Sequence, residues 1–143
     1  MNTVSLDWNK LNILVVEDDH NLREVIVEMF ESKACTVSNA ENGSIALAIL
    51  EQKNIDVVFS DIRMPVMDGV EMLKRIEARK QEKPFVFLAT GHADIDEQEV
   101  KKLGAKALFY KPFFCDKLIS ELEDILVCDL KNTWVPKITD SDK

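Results

Sequence analysis

At 143 residues the chain has room for one domain with a substantial core, and its 46% hydrophobic content is that of a globular protein. A net charge of −8 argues against a nucleic-acid footprint, which needs a basic stripe. No apolar run approaches a membrane span, and residues 1–10 carry no signal-peptide core.

Residues 1–10 read as a polar leader with Trp8 as its one large anchor. Residues 11–16, LNILVV, read as a buried strand that ends in three acids, Glu17, Asp18 and Asp19. Asp19 or Asn21 is placed to cap a helix. Its apolar face is Leu22, Val25, Ile26, Met29 and Phe30, the i, i+3, i+4, i+7, i+8 pattern. Residues 35–40 are a second, shorter strand, and Asn42, Gly43 and Ser44 open a helix carrying Ile45, Ala46, Ile49 and Leu50. Residues 56–60 are the third strand, with Asp61 at its C-terminal end. Pro65, then Asp68 and Gly69, punctuate a loop before a helix over 70–80 that turns Val70, Leu73 and Ile76 inward. Pro84 precedes a fourth strand, 85–88, which runs out at Ala89, Thr90 and Gly91. Residues 94–103 read as a helix with a thin apolar stripe, Ile95, Val100 and Leu103, stopped by Gly104. Residues 107–110 are a fifth strand followed by Lys111 and Pro112. Residues 116–127 are a final amphipathic helix on Leu118, Leu122, Ile125 and Leu126. Residues 128–143 read as a polar tail, so the folded domain is expected over 11–127.

Strands alternating with helices predict an α/β fold: a five-stranded parallel sheet covered by helices on both faces. Right-handed crossovers leave few topologies, and the flavodoxin-like order 2-1-3-4-5 fits best. In that order strands 1 and 3 are neighbours at the switch point, where ligands bind outside the carboxyl ends. Glu17, Asp18 and Asp61 meet there, with Thr90 and Lys111 on the same rim. Crowded carboxylates repel unless a cation neutralises them, and a few hard oxygen ligands suit Mg²⁺. The two histidines, His20 and His92, are too few for a metal cluster. Cys35, Cys115 and Cys128 match no CxxC or zinc pattern, so reduced thiols and a cytoplasmic setting are expected.

Taken together, these motifs resemble the receiver domain of two-component response regulators. The matching residues are Glu17 and Asp18 after LNILVV, Asp61 in VVFSDIRMPVMDG, Thr90 in FLATG and Lys111 in YKPF. The resemblance implies that Asp61 accepts a phosphoryl group from a phosphohistidine on a sensor histidine kinase or a histidine phosphotransfer protein. It implies direct Mg²⁺ ligation by Asp18, Asp61 and the backbone carbonyl of Arg63, with Glu17 acting mostly through a metal-bound water. Lys111 would pair with the phosphoryl oxygens, and Thr90 would hydrogen-bond the phosphoryl group and report it to a downstream protein. It further implies a cis bond between Lys111 and Pro112, since a tight turn must aim the ammonium over the rim.

The chain departs from the family at one switch position. An aromatic residue usually stands three places before the lysine; here it is Leu108. Tyr110 is expected to substitute only in part. His92 and Arg63 occupy flanking positions that usually tune dephosphorylation. Two enzyme or cofactor readings fare worse. Haloacid dehalogenase-type phosphatases use Asp-x-Asp, and Arg63 stands where the second Asp would be, so turnover of small phosphate esters is not expected. A flavodoxin cradles phosphate after its first strand, where Glu17, Asp18 and Asp19 would repel it. A pseudo-receiver, acting by binding alone, is disfavoured because all five expected site residues are present.

Overall fold

A computed structural model describes residues 4–131 and 138–140. In chain order the elements begin with β1 (Val4–Leu6), a 3-10 turn (Trp8–Lys10), β2 (Asn12–Val16), α1 (His20–Glu31), β3 (Thr36–Ala40) and α2 (Gly43–Gln52). There follow β4 (Val57–Asp61), α3 (Gly69–Ala78), β5 (Phe85–Thr90), α4 (Glu97–Lys102), β6 (Ala107–Tyr110), α5 (Cys115–Lys131) and β7 (Ile138–Asp140). Five strands form one parallel sheet in the order β3-β2-β4-β5-β6, which is 2-1-3-4-5 when the central strands alone are counted. Among the described residues, no helix is long and apolar enough to cross a membrane.

Strand periodicity divides the core in two. Ile13, Val15, Val57, Phe59, Phe87 and Phe109 face α1 and α5, meeting Ile26, Phe30, Leu118 and Leu122. Leu14, Val16, Val58, Val86, Leu88 and Leu108 face the other way, onto Ala46, Leu50, Met72, Leu73, Ile76 and Val100. The helices start where a short polar side chain takes an orphan amide: Asp19 accepts from Leu22, Asn42 from Ile45 and Asp68 from Glu71.

Several boundaries differ from the sequence reading. The fourth strand runs on to Thr90, because its backbone keeps pairing with β4 and β6. The helix expected over 94–103 is confined to six residues, with Asp96 as its cap and Val100 as its one buried side chain. Val25 is half exposed, outside the core face of α1. Ile45 is also exposed.

The largest difference lies at the chain ends. Within the segment expected to be a polar leader, the described residues are not a surface stretch: Leu6 and Trp8 are buried in the larger core. Trp8 lies 6.3 Å from the Phe30 ring, and its indole N–H donates to Glu123 Oε1 at 2.7 Å. Nor is 128–143 simply a tail. Helix α5 continues through Lys131, and β7 pairs antiparallel with β1 in a separate two-stranded sheet. Trp134 and Pro136 lie outside the described residues.

Trp8→Ala is therefore expected to cost about 3–5 kcal/mol, as for a buried aromatic, where a surface leader would lose less than about 0.5. Urea unfolding of the two proteins measures the difference.

Candidate functional site

The sheet register brings the acids together. Val16 pairs with Ser60, so the next residues, Glu17 and Asp61, leave their strands side by side. Asp61 pairs with Ala89 and Thr90 with Tyr110, which puts Thr90 and Lys111 at neighbouring strand ends. Carboxylate oxygens of Glu17, Asp18 and Asp61 lie within 4.8 Å of one another. The Lys111 ammonium sits 3.0 Å from Glu17 Oε1 and 3.3 Å from Asp61 Oδ1. The Lys111-Pro112 bond is cis.

Backbone contacts hold each group in place. Lys111 N–H donates to the Thr90 carbonyl at 2.8 Å, and Ile62 N–H to that of Ala89 at 2.9 Å. The Ser60 hydroxyl donates to the Asp61 carbonyl at 2.8 Å. Glu17 is fixed at three points: its N–H donates to Ala40, its carbonyl accepts from Arg23 Nη1, and its Oε2 accepts from Asp19 N–H. Gly69 closes the loop after β4. A Cβ there would lie 2.5 Å from the Asp61 carbonyl oxygen, so no other residue fits without moving the acceptor strand. Thr90 is fully buried, and its Oγ1 accepts from His92 N–H at 3.1 Å. Arg63 turns its guanidinium outward, 3.6 Å from Asp94.

Of the residues expected at the site, Glu17, Asp18, Asp61 and Lys111 meet directly. Thr90 stands at the adjacent strand end, and Arg63 on the bordering loop. The sequence reading missed Arg23 as the support of Glu17, because nothing in its spacing marks a bond to a carbonyl six residues earlier. It also missed the ties to α4. Glu97 accepts from Leu108 N–H at 3.0 Å, and the Tyr110 hydroxyl donates to the Ile95 carbonyl at 2.6 Å. Leu108 is buried, while Tyr110 is 46% exposed.

Asp61 is 8% exposed and Glu17 2%. Burial pushes the Asp61 carboxyl above the usual carboxylate range, against the pull of Lys111. Burial raises Glu17 likewise, again opposed by Lys111. Burial alone would lower Lys111, but the hydrogen bond to Glu17 and the charges of Asp61 and Glu17 outweigh it and hold the ammonium above its ordinary value. One lysine leaves three crowded carboxylates under-neutralised. Their hard oxygens, two of them on buried residues, suit a metal ion.

The comparisons agree with this arrangement. The description "Response regulator receiver domain" matches residues 13–123. Sporulation initiation phosphotransferase F of Bacillus subtilis is 36% identical over 107 residues, covering 74% of this chain and 86% of that protein. The DNA-binding transcriptional regulator NtrC of Salmonella typhimurium is 38% identical over 112 residues, which is 78% of this chain and only 24% of NtrC. The chain thus spans under a quarter of that relative. Among solved structures, chemotaxis response regulator CheY4 of Vibrio cholerae superposes with a TM-score of 0.74 at 28% identity, covering 80% of this chain and 98% of that one. The BeF3-activated DrrB receiver domain gives 0.69 at 27% identity, covering 82% and 97%. The fold and rim are those of a signalling receiver. The chain belongs to the response regulator receiver domain family, and the acidic cluster fits that family's phosphorylation site.

The raised carboxyls carry a sign for stability. An acid whose folded pKa is raised favours folding while protonated, and that contribution is lost as pH rises through the folded value. In EDTA, stability is expected to fall as pH climbs out of the carboxylate range. Asp61→Asn should flatten that fall and raise Tm at neutral pH, on a scale of about 4 °C per kcal/mol. Thermal melts across pH test both.

Proposed function

We propose that the chain accepts a phosphoryl group on Asp61 from a phosphohistidine of a sensor histidine kinase or histidine phosphotransfer protein, and signals through a phosphorylation-dependent protein contact. The observation that carries this reading is the convergence of Asp61, Glu17, Asp18 and Lys111 on one rim, with the ammonium within 3.3 Å of the acceptor oxygen. The kinship with a protein named as a phosphotransferase supports it.

In this reading an Asp61 oxygen attacks phosphorus in line, the phosphorus–nitrogen bond of the donor breaks, and its electron pair stays on the imidazole. Such transfer needs positioning and neutralised oxygens more than covalent help. Lys111 neutralises the phosphoryl oxygens from one side. Asp18, Asp61 and the Arg63 carbonyl would hold Mg²⁺, with Glu17 acting mostly through a metal-bound water, and the ion would add positive charge beside the phosphoryl oxygens. With Arg63 in place of a second aspartate, no acid–base partner stands two residues after Asp61, so steady turnover of small phosphate esters is not part of the function. The setting is cytoplasmic, and neither nucleic acid nor membrane is a partner of this domain.

The readout follows from Leu108. It has neither ring nor hydroxyl, so rotamer coupling of the usual kind is weak, and Tyr110 substitutes for it only in part. Movement of the loop after Thr90 and of the short α4 carries the signal instead.

Incubation with acetyl phosphate and Mg²⁺ is expected to add one phosphoryl group to the wild-type mass and none to Asp61→Asn. Undiminished labelling of the variant would falsify the assignment. Hydrogen exchange with and without a beryllofluoride mimic should change protection across 91–103. A flip of Leu108 or Tyr110 with α4 unaltered would restore the side-chain switch.

A further inference from the structure

Asp18 is the exposed member of the acidic cluster, and among the described residues no hydrogen bond or ion pair restrains its side chain. Its direction is therefore set by the backbone that leads to it, the peptide joining Glu17 to Asp18. The carbonyl of that peptide accepts from Arg23 Nη1 at 2.8 Å, donated by a half-buried side chain that doubles back from the first turn of α1. The guanidinium is held in turn. Arg23 Nη2 lies 3.1 Å from His20 Nδ1, and His20 Nε2 lies 3.1 Å from Glu24 Oε1. A guanidinium can only donate, so Nδ1 accepts and the ring hydrogen on Nε2 is directed at Glu24. Glu24, His20, Arg23 and the Glu17 carbonyl thus form one chain of contacts from the surface of α1 to the edge of the cluster. Among the described residues Arg23 forms no ion pair with Glu17, Asp18, Asp19 or Glu24, although all four lie within six residues of it. Its charge goes to a carbonyl and a ring nitrogen, which leaves the carboxylate oxygens free for a cation.

We propose that Arg23 is a positioning residue for the metal: by fixing the Glu17–Asp18 peptide it holds the Asp18 carboxylate toward Glu17 and Asp61 before an ion binds. The inference rests on the metal-assisted phosphoacceptor reading above. Carboxylate oxygens of the three acids lie within 4.8 Å of one another, a spacing that like charges oppose. An exposed Asp18 relieves that repulsion by turning away into solvent. Rotating its leading peptide would break the charge-assisted bond from Arg23, so the turn is resisted. A planar guanidinium committed at two nitrogens resists it better than a single ammonium would. The ion then meets ligands already arranged, and less ordering is left for binding to supply. Arg23 bonds to neither the Asp18 nor the Asp61 carboxylate, so it acts through the backbone. Charge works in the opposite sense, because a positive side chain beside a cation site repels the cation. Removing Arg23 tightens Mg²⁺ binding if charge governs and weakens it if positioning does.

Isothermal titration calorimetry with Mg²⁺ on the full, unphosphorylated chain reads that sign. Arg23→Ala is expected to weaken Mg²⁺ binding roughly three- to tenfold, the usual loss for a group behind a metal ligand less the gain from removing a charge. Arg23→Met keeps the apolar stem of the half-buried side chain, so it gives the same reading should Arg23→Ala fail to fold. Arg23→Lys, which keeps a donor but not the planar fork, should recover part of the loss. Melting in EDTA accompanies each variant, since a residue that serves the fold alone lowers Tm and leaves the Mg²⁺ affinity of the folded protein unchanged. Unchanged or tighter Mg²⁺ binding in either neutral variant that folds overturns the proposal. If the wild-type chain binds no Mg²⁺, or Asp18→Asn binds it as tightly as wild type, the metal reading has failed first and this inference falls with it.

Discussion

Two buried carboxylates share one ammonium, and the rest of the rim is arranged around that fact. Glu17 and Asp61 would each be stabler in water, as their raised carboxyls show. Lys111 answers both, but it is a single charge, so the cluster keeps an appetite for cations. A site with this imbalance is held together by the fold rather than by its own attractions. That is the arrangement expected where stability is given up for chemistry.

The fold supplies the restraint through backbone rather than side chains. Parallel pairing of β2 with β4 sets the acids side by side, and the bonds between Ile62 and Ala89 and between Lys111 and Thr90 lock the strand ends in register. Gly69 lets α3 come within touching distance of the Asp61 carbonyl, and Asp68 caps that helix. The acceptor therefore sits on a hydrogen-bonded floor, while residues 63–68 and 91–96 on either side are exposed or half-buried.

Much of this was legible beforehand. Buried parallel strands are continuous apolar runs, so LNILVV and VVF announced themselves, and the acids after them fell at the switch point by topology alone. The failures have physical causes. Trp8 and Leu6 sit among polar neighbours, and no periodicity shows that a short segment folds back onto the core. Val25 satisfied a helical repeat, yet the stripe was wider than the surface it covers, and the residue at its margin stayed in solvent. The α4 segment looked longer than it is because Asp96 caps a later start, and its few apolar residues could not hold an earlier turn. Contacts such as Arg23 to Glu17 or Glu97 to Leu108 depend on side chains meeting single backbone groups, which no pattern of residue types reports.

The Glu97 contact bears on one edge of the sheet. Strand β6 is one of the two outer strands of the sheet, and an outer strand exposes unpaired amides to any passing chain. Here the outward amide of Leu108 is already occupied by a carboxylate, and Tyr110 bonds across to the segment ahead of α4. A foreign strand seeking to extend the sheet would have to displace a fixed negative charge before gaining its first ladder bond. The short helix thus also serves as a guard against edge-to-edge self-association, and any signal that loosens it would momentarily open that edge.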